Sequence, residues 1–98
     1  MPIKLKIVDS TKKNKRYTAL FREGDTLIKV IQFGSKGSKT YIDHGDVVKR
    51  KNYLARHKVN EDWTKPMNAG SLSRWLLWGN NKSLASNLKS FKSKFKLG

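Results

Sequence analysis

Two hydrophobic periodicities divide the chain, and they constrain its fold more than any other feature. In the first third of the chain, apolar side chains alternate with polar ones in Ile3, Leu5 and Ile7, and alternation recurs over residues 17–22, which is the period of a half-buried strand. From residue 46 onward they recur every three or four positions, which is the period of a helix with one apolar face. This change of period predicts an α+β fold in which a small sheet is followed by helices.

The first third of the sequence predicts a three-stranded antiparallel meander. A polar segment, DSTKKNK, separates the first strand from a second one around residues 17–22. Glu23-Gly24-Asp25 then predicts a tight hairpin turn into a third strand over residues 26–33. Antiparallel strands joined by short turns are the simplest arrangement of these segments.

Three helices are predicted for the remainder, near residues 46–59, 71–78 and 83–96. Asp46, Ser71 and Ser83 are suited to cap their N-termini, and Gly79 predicts the usual glycine-ended C-terminus for the second helix. The 98 residues suffice for a single domain, residues 1–98, around one modest core. The predicted core contains Tyr17, Phe21, Ile31, Phe33, Leu54, Trp75, Leu76, Leu88 and Phe91.

Composition excludes several classes of protein. The chain has no cysteine, which excludes disulfides, zinc ribbons and thiol catalysis. No apolar segment approaches the length of a membrane span, and the N-terminus lacks the apolar core of a signal peptide. The sequence therefore predicts a soluble protein made in a cytosol, and not an integral membrane protein.

The segment FGSKGSKT, residues 33–40, superficially resembles a phosphate-binding P-loop. A P-loop requires G-x-x-x-x-G-K-[ST], because its backbone N–H groups, lysine and hydroxyl must meet the phosphates at fixed offsets. Here Gly34 and Gly37 are too close together, and Lys39 follows a serine. Residues 41–45 also separate the lysine from the next helical pattern. The favoured interpretation is a basic turn that leaves a strand.

Catalytic and metal-binding patterns are weak. His57 and Glu61 have i, i+4 spacing, and Asp62 and His44 are further conceivable ligands, but no known metal site has this spacing. We favour the interpretation that His57 borders the core while the two carboxylates pair with lysines. No G-x-S-x-G turn is present. We therefore predict no enzymatic activity and no cofactor.

Three tryptophans lie close together in sequence, at positions 63, 75 and 78. Exposed aromatic side chains among cations are typical of proteins that stack single-stranded nucleic acid. The SLSRWLLWG segment is nevertheless so apolar that core packing is the favoured role, with the tryptophans joining the sheet to the helices.

Excess positive charge is the strongest functional signal. Lys and Arg number 22 against 7 Asp and Glu, a formal net charge of +15, which favours a polyanionic partner. No helix-turn-helix, zinc-finger, RRM or KH motif is present, so we expect binding by charge and shape without sequence specificity. The partner is DNA or RNA, through the phosphate backbone, or acidic proteins. The candidate binding residues are Lys36, Lys39, Lys49, Arg50, Lys51, Arg56, Lys58, Lys89 and Lys92.

Several motifs together resemble a known family. They are Tyr17-Thr18-Ala19-x-Phe21, FGSKG, YLxRHK, NEDW and AGSLSRWLLW, spread over roughly residues 15–97. This pattern resembles a poorly characterised family of short basic proteins encoded by large nucleocytoplasmic DNA viruses, of the phycodnavirus and mimivirus type. The resemblance implies that FGSKG is a recurring turn of the family, with Phe33 as the buried end of a strand.

The resemblance implies a viral origin and transfers no catalytic residues. It suggests a packaged virion component, present in the host cytoplasm or nucleus during assembly. Two functions remain open. One is a sequence-independent nucleic-acid binder that condenses or packages the genome. The other is a minor capsid or virion structural protein whose basic face contacts acidic capsid proteins or membrane rather than DNA.

Overall fold

A computed structural model describes residues 3–98 and has the predicted α+β fold. Three antiparallel strands form one sheet in the order β1-β2-β3, and helices follow them. The strands are β1 (Ile3–Asp9), β2 (Lys15–Glu23) and β3 (Thr26–Ser35). The helices are α1 (Tyr41–His44), α2 (Val47–His57), α3 (Ala69–Leu72), a π-helix (Ser73–Leu77) and α4 (Leu84–Phe95).

Strand register gives the sheet one apolar face. Leu5 lies opposite Phe21 across β1 and β2, and Ala19 lies opposite Ile31 across β2 and β3. Directly opposed residues share a side of a sheet, so these side chains form one continuous apolar surface. Its helical cover comes from the second half of the chain. The nine buried residues of the resulting core are Leu5, Ala19, Phe21, Ile31, Phe33, Leu72, Leu76, Leu77 and Phe91.

The predicted core is largely confirmed, with one error. Tyr17, Trp75 and Leu88 pack against the buried cluster while remaining partly accessible. Leu54, in contrast, is half-buried and belongs to neither group. The buried side chain of α2 is its neighbour Tyr53, because α2 packs beside the core rather than across the sheet.

The predicted capping residues gave the correct starting points of two helices, α2 and α4. The Asp46 carboxylate accepts hydrogen bonds from the backbone N–H groups of Val48 and Lys49, and the Ser83 hydroxyl accepts one from Ser86 N–H. These two caps confirm the predicted starts of α2 and α4. Both helices end slightly earlier than predicted, at His57 and Phe95.

The region predicted as one helix over residues 71–78 is organised differently. Asn68, not Ser71, caps it: the Asn68 side chain accepts from Ser71 N–H, and the helix begins at Ala69. Ser71 is fully buried instead, and its hydroxyl donates to the carbonyl of Asp62. The last turn widens into the π-helix, with Trp78 N–H donating to the carbonyl of Ser73.

Gly79 follows the π-helix, but it does not have the left-handed conformation predicted for a terminating glycine. Its role is steric. A Cβ atom at this position would lie 2.4 Å from the carbonyl oxygen of Trp75 and 2.8 Å from the Asn87 side chain. Only glycine permits this approach between the helix end and α4.

Asn87 joins α4 to that helix end. Its amide is 2% exposed and donates to the carbonyls of Leu76 and Asn81, at 2.9 and 2.8 Å. Its oxygen accepts from Asn81 N–H at 3.1 Å. Leu76 lies in the last turn of the helix, where carbonyls have no intrahelical partner, and Asn87 supplies a side-chain donor.

Two further features complete the fold. The final residue, Gly98, exchanges backbone hydrogen bonds with Ile3 and Leu5, so the chain end lies alongside β1.

Across residues 3–98, none of the helices combines the length and apolar character that crossing a bilayer demands.

Candidate functional site

A groove of about 650 Å³ lies between the end of β3, helix α2 and the segment 69–78. Residues 33–35 of β3 and the turn that follows form one wall, and α2 forms the other. The floor contains apolar and aromatic side chains from both halves of the chain, among them Phe33, Leu77 and Trp78. Its volume falls within the range of small-ligand sites in proteins.

The turn at the first wall is the FGSKG segment. Phe33 is 1% exposed, and Gly34 and Gly37 both have left-handed backbone conformations, with φ of +77° and +90°. This geometry confirms an architectural turn. The short helix α1, Tyr41–His44, follows this turn and was not among the three predicted helices.

Asp43 fixes that turn to the sheet. Its two carboxylate oxygens accept from the Arg16 guanidinium at 2.7 Å each, and it also accepts from the Thr40 N–H and hydroxyl at 2.7 and 2.9 Å. The hydrogen bonds from Arg16 hold the pKa of the Asp43 carboxyl well below its usual range, and the bonds from Thr40 add to this effect. The network places Lys39 at the groove.

Three stacked rings border the groove. The Tyr53 ring lies 4.3 Å from that of Trp78 at an interplanar angle of 6°, and 4.1 Å from that of His57 at 23°. Burial raises the pKa of the Tyr53 hydroxyl to about 12, with a further contribution from the negative charge of Glu61. Tyr53 is therefore a neutral phenol at physiological pH.

Two arginines hold Trp78 in this stack. Arg50 Nε donates to the carbonyls of Trp78 and Gly79, at 3.1 and 3.0 Å, and Arg74 donates to the same Trp78 carbonyl at 3.1 Å. Cations are favourable at a helix C-terminus, where carbonyls are unpaired. Burial lowers the pKa of Arg74, and the nearby charge of Arg50 adds to this shift.

His57 and Glu61 also lie at the groove, although α2 ends at His57. The chain turns back so that His57 Nδ1 lies 2.6 Å from one Glu61 oxygen, while the other oxygen accepts from Trp63 Nε1 at 3.0 Å. An ionised carboxylate only accepts, so Nδ1 carries the proton and Nε2 is the remaining ring nitrogen. The predicted pairing of Glu61 and Asp62 with lysines was wrong, since Asp62 instead accepts from Thr64.

His44 contributes to the groove from α1. Its Nδ1 accepts from Asp46 N–H at 2.9 Å, so the ring proton lies on Nε2, which is buried without a partner. Its ring packs against Trp78 at 5.5 Å. Within residues 3–98, no three histidine or carboxylate side chains come together in a way that suits a metal ion.

The groove brings together some of the predicted binding residues and not others. Lys39, Lys49 and Arg56 line it, together with Lys15. Lys15 belongs to the basic TKKNKR segment, and its pairing with Ser35 across β2 and β3 brings it to this wall. The groove lining does not include Lys36, Arg50, Lys51, Lys58, Lys89 or Lys92.

Those other cations have different environments. Lys36, Lys51, Lys58 and Lys89 are exposed elsewhere on the surface, and Lys92 is half-buried. Arg50 is directed into the fold, where it also donates to the Asn80 side chain at 2.8 Å.

Very little of the positive charge is neutralised within the fold. In the part of the chain that the structure describes, the ion pairs are Arg16–Asp43 and His57–Glu61. All 22 Lys and Arg side chains lie in residues 3–98, and Arg16 alone has a carboxylate partner there. The groove is therefore a basic concavity with an aromatic floor.

These features define a small basic α+β domain with a groove of about 650 Å³ beside its sheet. The chain belongs to a family of unknown function, DUF5754, whose model matches residues 5–57. No curated protein and no solved structure matches the chain. The family match covers β1 from residue 5 onward, together with β2, β3, α1 and α2, and it includes Lys15, Lys39, Lys49 and Arg56 of the groove lining.

Proposed function

We propose that this protein binds nucleic acid through the phosphate backbone, by charge and without sequence specificity, and that it catalyses no reaction. We further propose that it is a packaged component of a large DNA virus particle. The observation that carries the binding proposal is the unneutralised charge: a single Lys or Arg side chain in residues 3–98 is paired with a carboxylate.

The physical basis is the release of counterions. Phosphates along a nucleic acid retain a condensed layer of cations, and each lysine or arginine that replaces one of these cations releases it to solution. Lys15, Lys39, Lys49 and Arg56 are clustered at one groove and have no carboxylate partner to compete with phosphate. Roughly 4 to 6 neutralised phosphates are expected for such a surface.

The test is a titration of fluorescently labelled duplex DNA at several salt concentrations. With roughly 4 to 6 contacts, the affinity should fall by about two to three decades between about 50 and 200 mM salt. Duplexes of unrelated sequence should bind within a few-fold of one another. A flat salt dependence, or no binding at low salt, would contradict the proposal.

A charge-removing variant sharpens this test. Replacing Lys49 and Arg56 with alanine should reduce the slope of log K against log salt by up to about 1.8, and should weaken all sequences alike. Both residues are exposed on α2, so the fold should remain intact. Circular dichroism provides the control, and an unchanged slope with intact structure would exclude these residues from the interface.

A second function is that of a virion structural protein, and one observation supports contact with another protein. Leu27, Ile28 and Val30 on the edge strand β3 are 42, 41 and 47% exposed. Apolar side chains at an open strand edge are suited to contact another protein. Locating the protein within layers of purified virions would distinguish a capsid position from a genome-associated one.

A further inference from the structure

We infer that the groove is a site for one unpaired nucleotide, so that the protein binds single-stranded nucleic acid in preference to duplex. This inference rests on the proposed function, because it specifies whether the same surface binds single-stranded or duplex nucleic acid. Three properties of the groove carry it: its size, the two kinds of side chain that line it, and the free end of the ring stack.

Size restricts what can enter. A concavity of about 650 Å³ accommodates a nucleotide but not the width of a double helix. In a duplex, moreover, each base is already stacked on two neighbours and paired. A duplex therefore presents only its phosphates to the groove, whereas a single strand can place a base inside it.

The lining matches a ligand with one anionic part and one flat, weakly polar part. Lys15, Lys39 and Lys49 provide unpaired cations, while the partly accessible rings of Trp78 and His57 contribute flat, weakly polar surface. A nucleotide has this division, with its phosphate on one side of the sugar and its base on the other. A bare phosphate would not use the rings, and an apolar ligand would not use the cations.

The ring stack offers a place for the base. Both faces of the Tyr53 ring are covered, one by Trp78 and the other by His57. His57 lies at the end of the stack, has no second aromatic partner in residues 3–98, and its side chain is 34% exposed. Histidine is among the side chains on which unpaired bases stack.

Glu61 fixes the orientation of that end ring. Its carboxylate holds His57 Nδ1 at 2.6 Å and is itself held by the Trp63 indole, and Gly70 packs directly against it. A ring held in this way loses little further freedom when a base stacks on it. Preorganisation of this kind strengthens binding by reducing its entropic cost.

The experiment compares a labelled oligothymidylate, which forms no duplex, with a labelled hairpin duplex at about 150 mM salt. We expect fluorescence anisotropy to show at least about tenfold tighter binding of the single strand, since stacking contributes that much or more per base. Thymidine monophosphate should compete weakly, and inorganic phosphate at equal ionic strength should not compete.

Two matched double variants separate the groove from general charge. Lys39→Ala with Arg56→Ala removes two cations that line the groove, and Lys51→Ala with Lys58→Ala removes two exposed cations of the α2 region outside it. The first pair should reduce the preference for single strands, whereas the second should weaken both forms alike. Equal effects of the two pairs, with equal affinity for both forms, would overturn the inference and leave the proposed function standing. Absence of all binding would overturn both.

His57 variants test the stacking step directly. His57→Ala should lower single-strand affinity about tenfold, and His57→Phe should retain most of that affinity because it keeps a flat ring. Loss of affinity in both variants, with native circular dichroism, would contradict stacking on this ring. If His57→Ala does not fold, a loss of affinity in a folded His57→Phe is sufficient to refute the stacking step.

Discussion

Replacing Asn87 with alanine removes a buried polar side chain that joins α4 to the end of the π-helix. Three hydrogen bonds are lost, to the carbonyls of Leu76 and Asn81 and from the N–H of Asn81. A typical intramolecular hydrogen bond contributes about 1 kcal/mol net, and a buried partner left unsatisfied costs more. The expected loss in free energy of unfolding is therefore about 3 kcal/mol.

That loss is a large fraction of the total for a small domain. Free energies of unfolding usually lie at about 5–15 kcal/mol, and about 1 kcal/mol corresponds to roughly 4–8 °C in Tm for a chain of this size. Asn87→Ala should thus lower Tm by about 12–24 °C. Urea unfolding followed by tryptophan fluorescence gives the free energy directly, since three tryptophans report on the fold.

Ser93→Ala is the matched control, because Ser93 is an exposed polar residue on the same helix. It should change the free energy of unfolding by less than about 0.5 kcal/mol. A loss below about 1 kcal/mol for Asn87→Ala would refute the reasoning. It would mean that water replaces the amide without penalty and that the helix end is not closed as described.

Further predictions concern the hydrogen bonds of Asp43 and two of the glycines. Asp43→Asn should lower the free energy of unfolding by about 2 kcal/mol, because the charge-assisted hydrogen bonds with Arg16 and Thr40 are weakened. Because the folded pKa of Asp43 lies below the unfolded value, its stabilisation is present above about pH 4 and is lost as pH falls further. Acid titration of stability should therefore be less steep in Asp43→Asn than in the parent chain. Gly79→Ala should lower the free energy of unfolding by more than about 2 kcal/mol, because its Cβ would collide with the Trp75 carbonyl. In Gly37→Ala the new Cβ contacts no neighbour, so the loss should be only about 1 kcal/mol, from backbone strain. Thermal unfolding by circular dichroism measures each of these, and equal costs at the two glycines would contradict the steric account.

Features determined by local chemistry could be predicted from the sequence. The strands follow from alternating side chains, and the starts of α2 and α4 follow from Asp46 and Ser83. Features determined by distant contacts could not. Tyr53 and Leu54 are consecutive in α2 and point about 100° apart, and only the final packing determines which is buried.

The π-helix shows the same limit of local reasoning. At its end, Asn87, ten residues further along the chain, donates to the Leu76 carbonyl, a distant contact that no local pattern indicates. Gly79 was correctly associated with the helix end but for the wrong reason, because its role depends on the approach of α4 rather than on backbone handedness.

The candidate site could be predicted only in part. Lys39, Lys49 and Arg56 were identified from charge alone, but their convergence depends on the turn that Asp43 fixes and on the position of α2 across the groove from the end of β3. The i, i+4 spacing of His57 and Glu61 indicated that their side chains could contact each other. That spacing gave no indication of Trp63, whose indole holds the carboxylate.

The distribution of the core has a consequence for how relatives of this chain should be delimited. Five of its nine buried residues lie within residues 5–57, the stretch that the family model matches, and the other four, Leu72, Leu76, Leu77 and Phe91, lie beyond it. A protein homologous only over the matched stretch would leave the apolar face of its sheet uncovered. Family members should therefore carry an additional C-terminal segment that covers this face, even where its sequence has diverged beyond recognition, and the evolutionary unit is longer than the stretch in which similarity is detected.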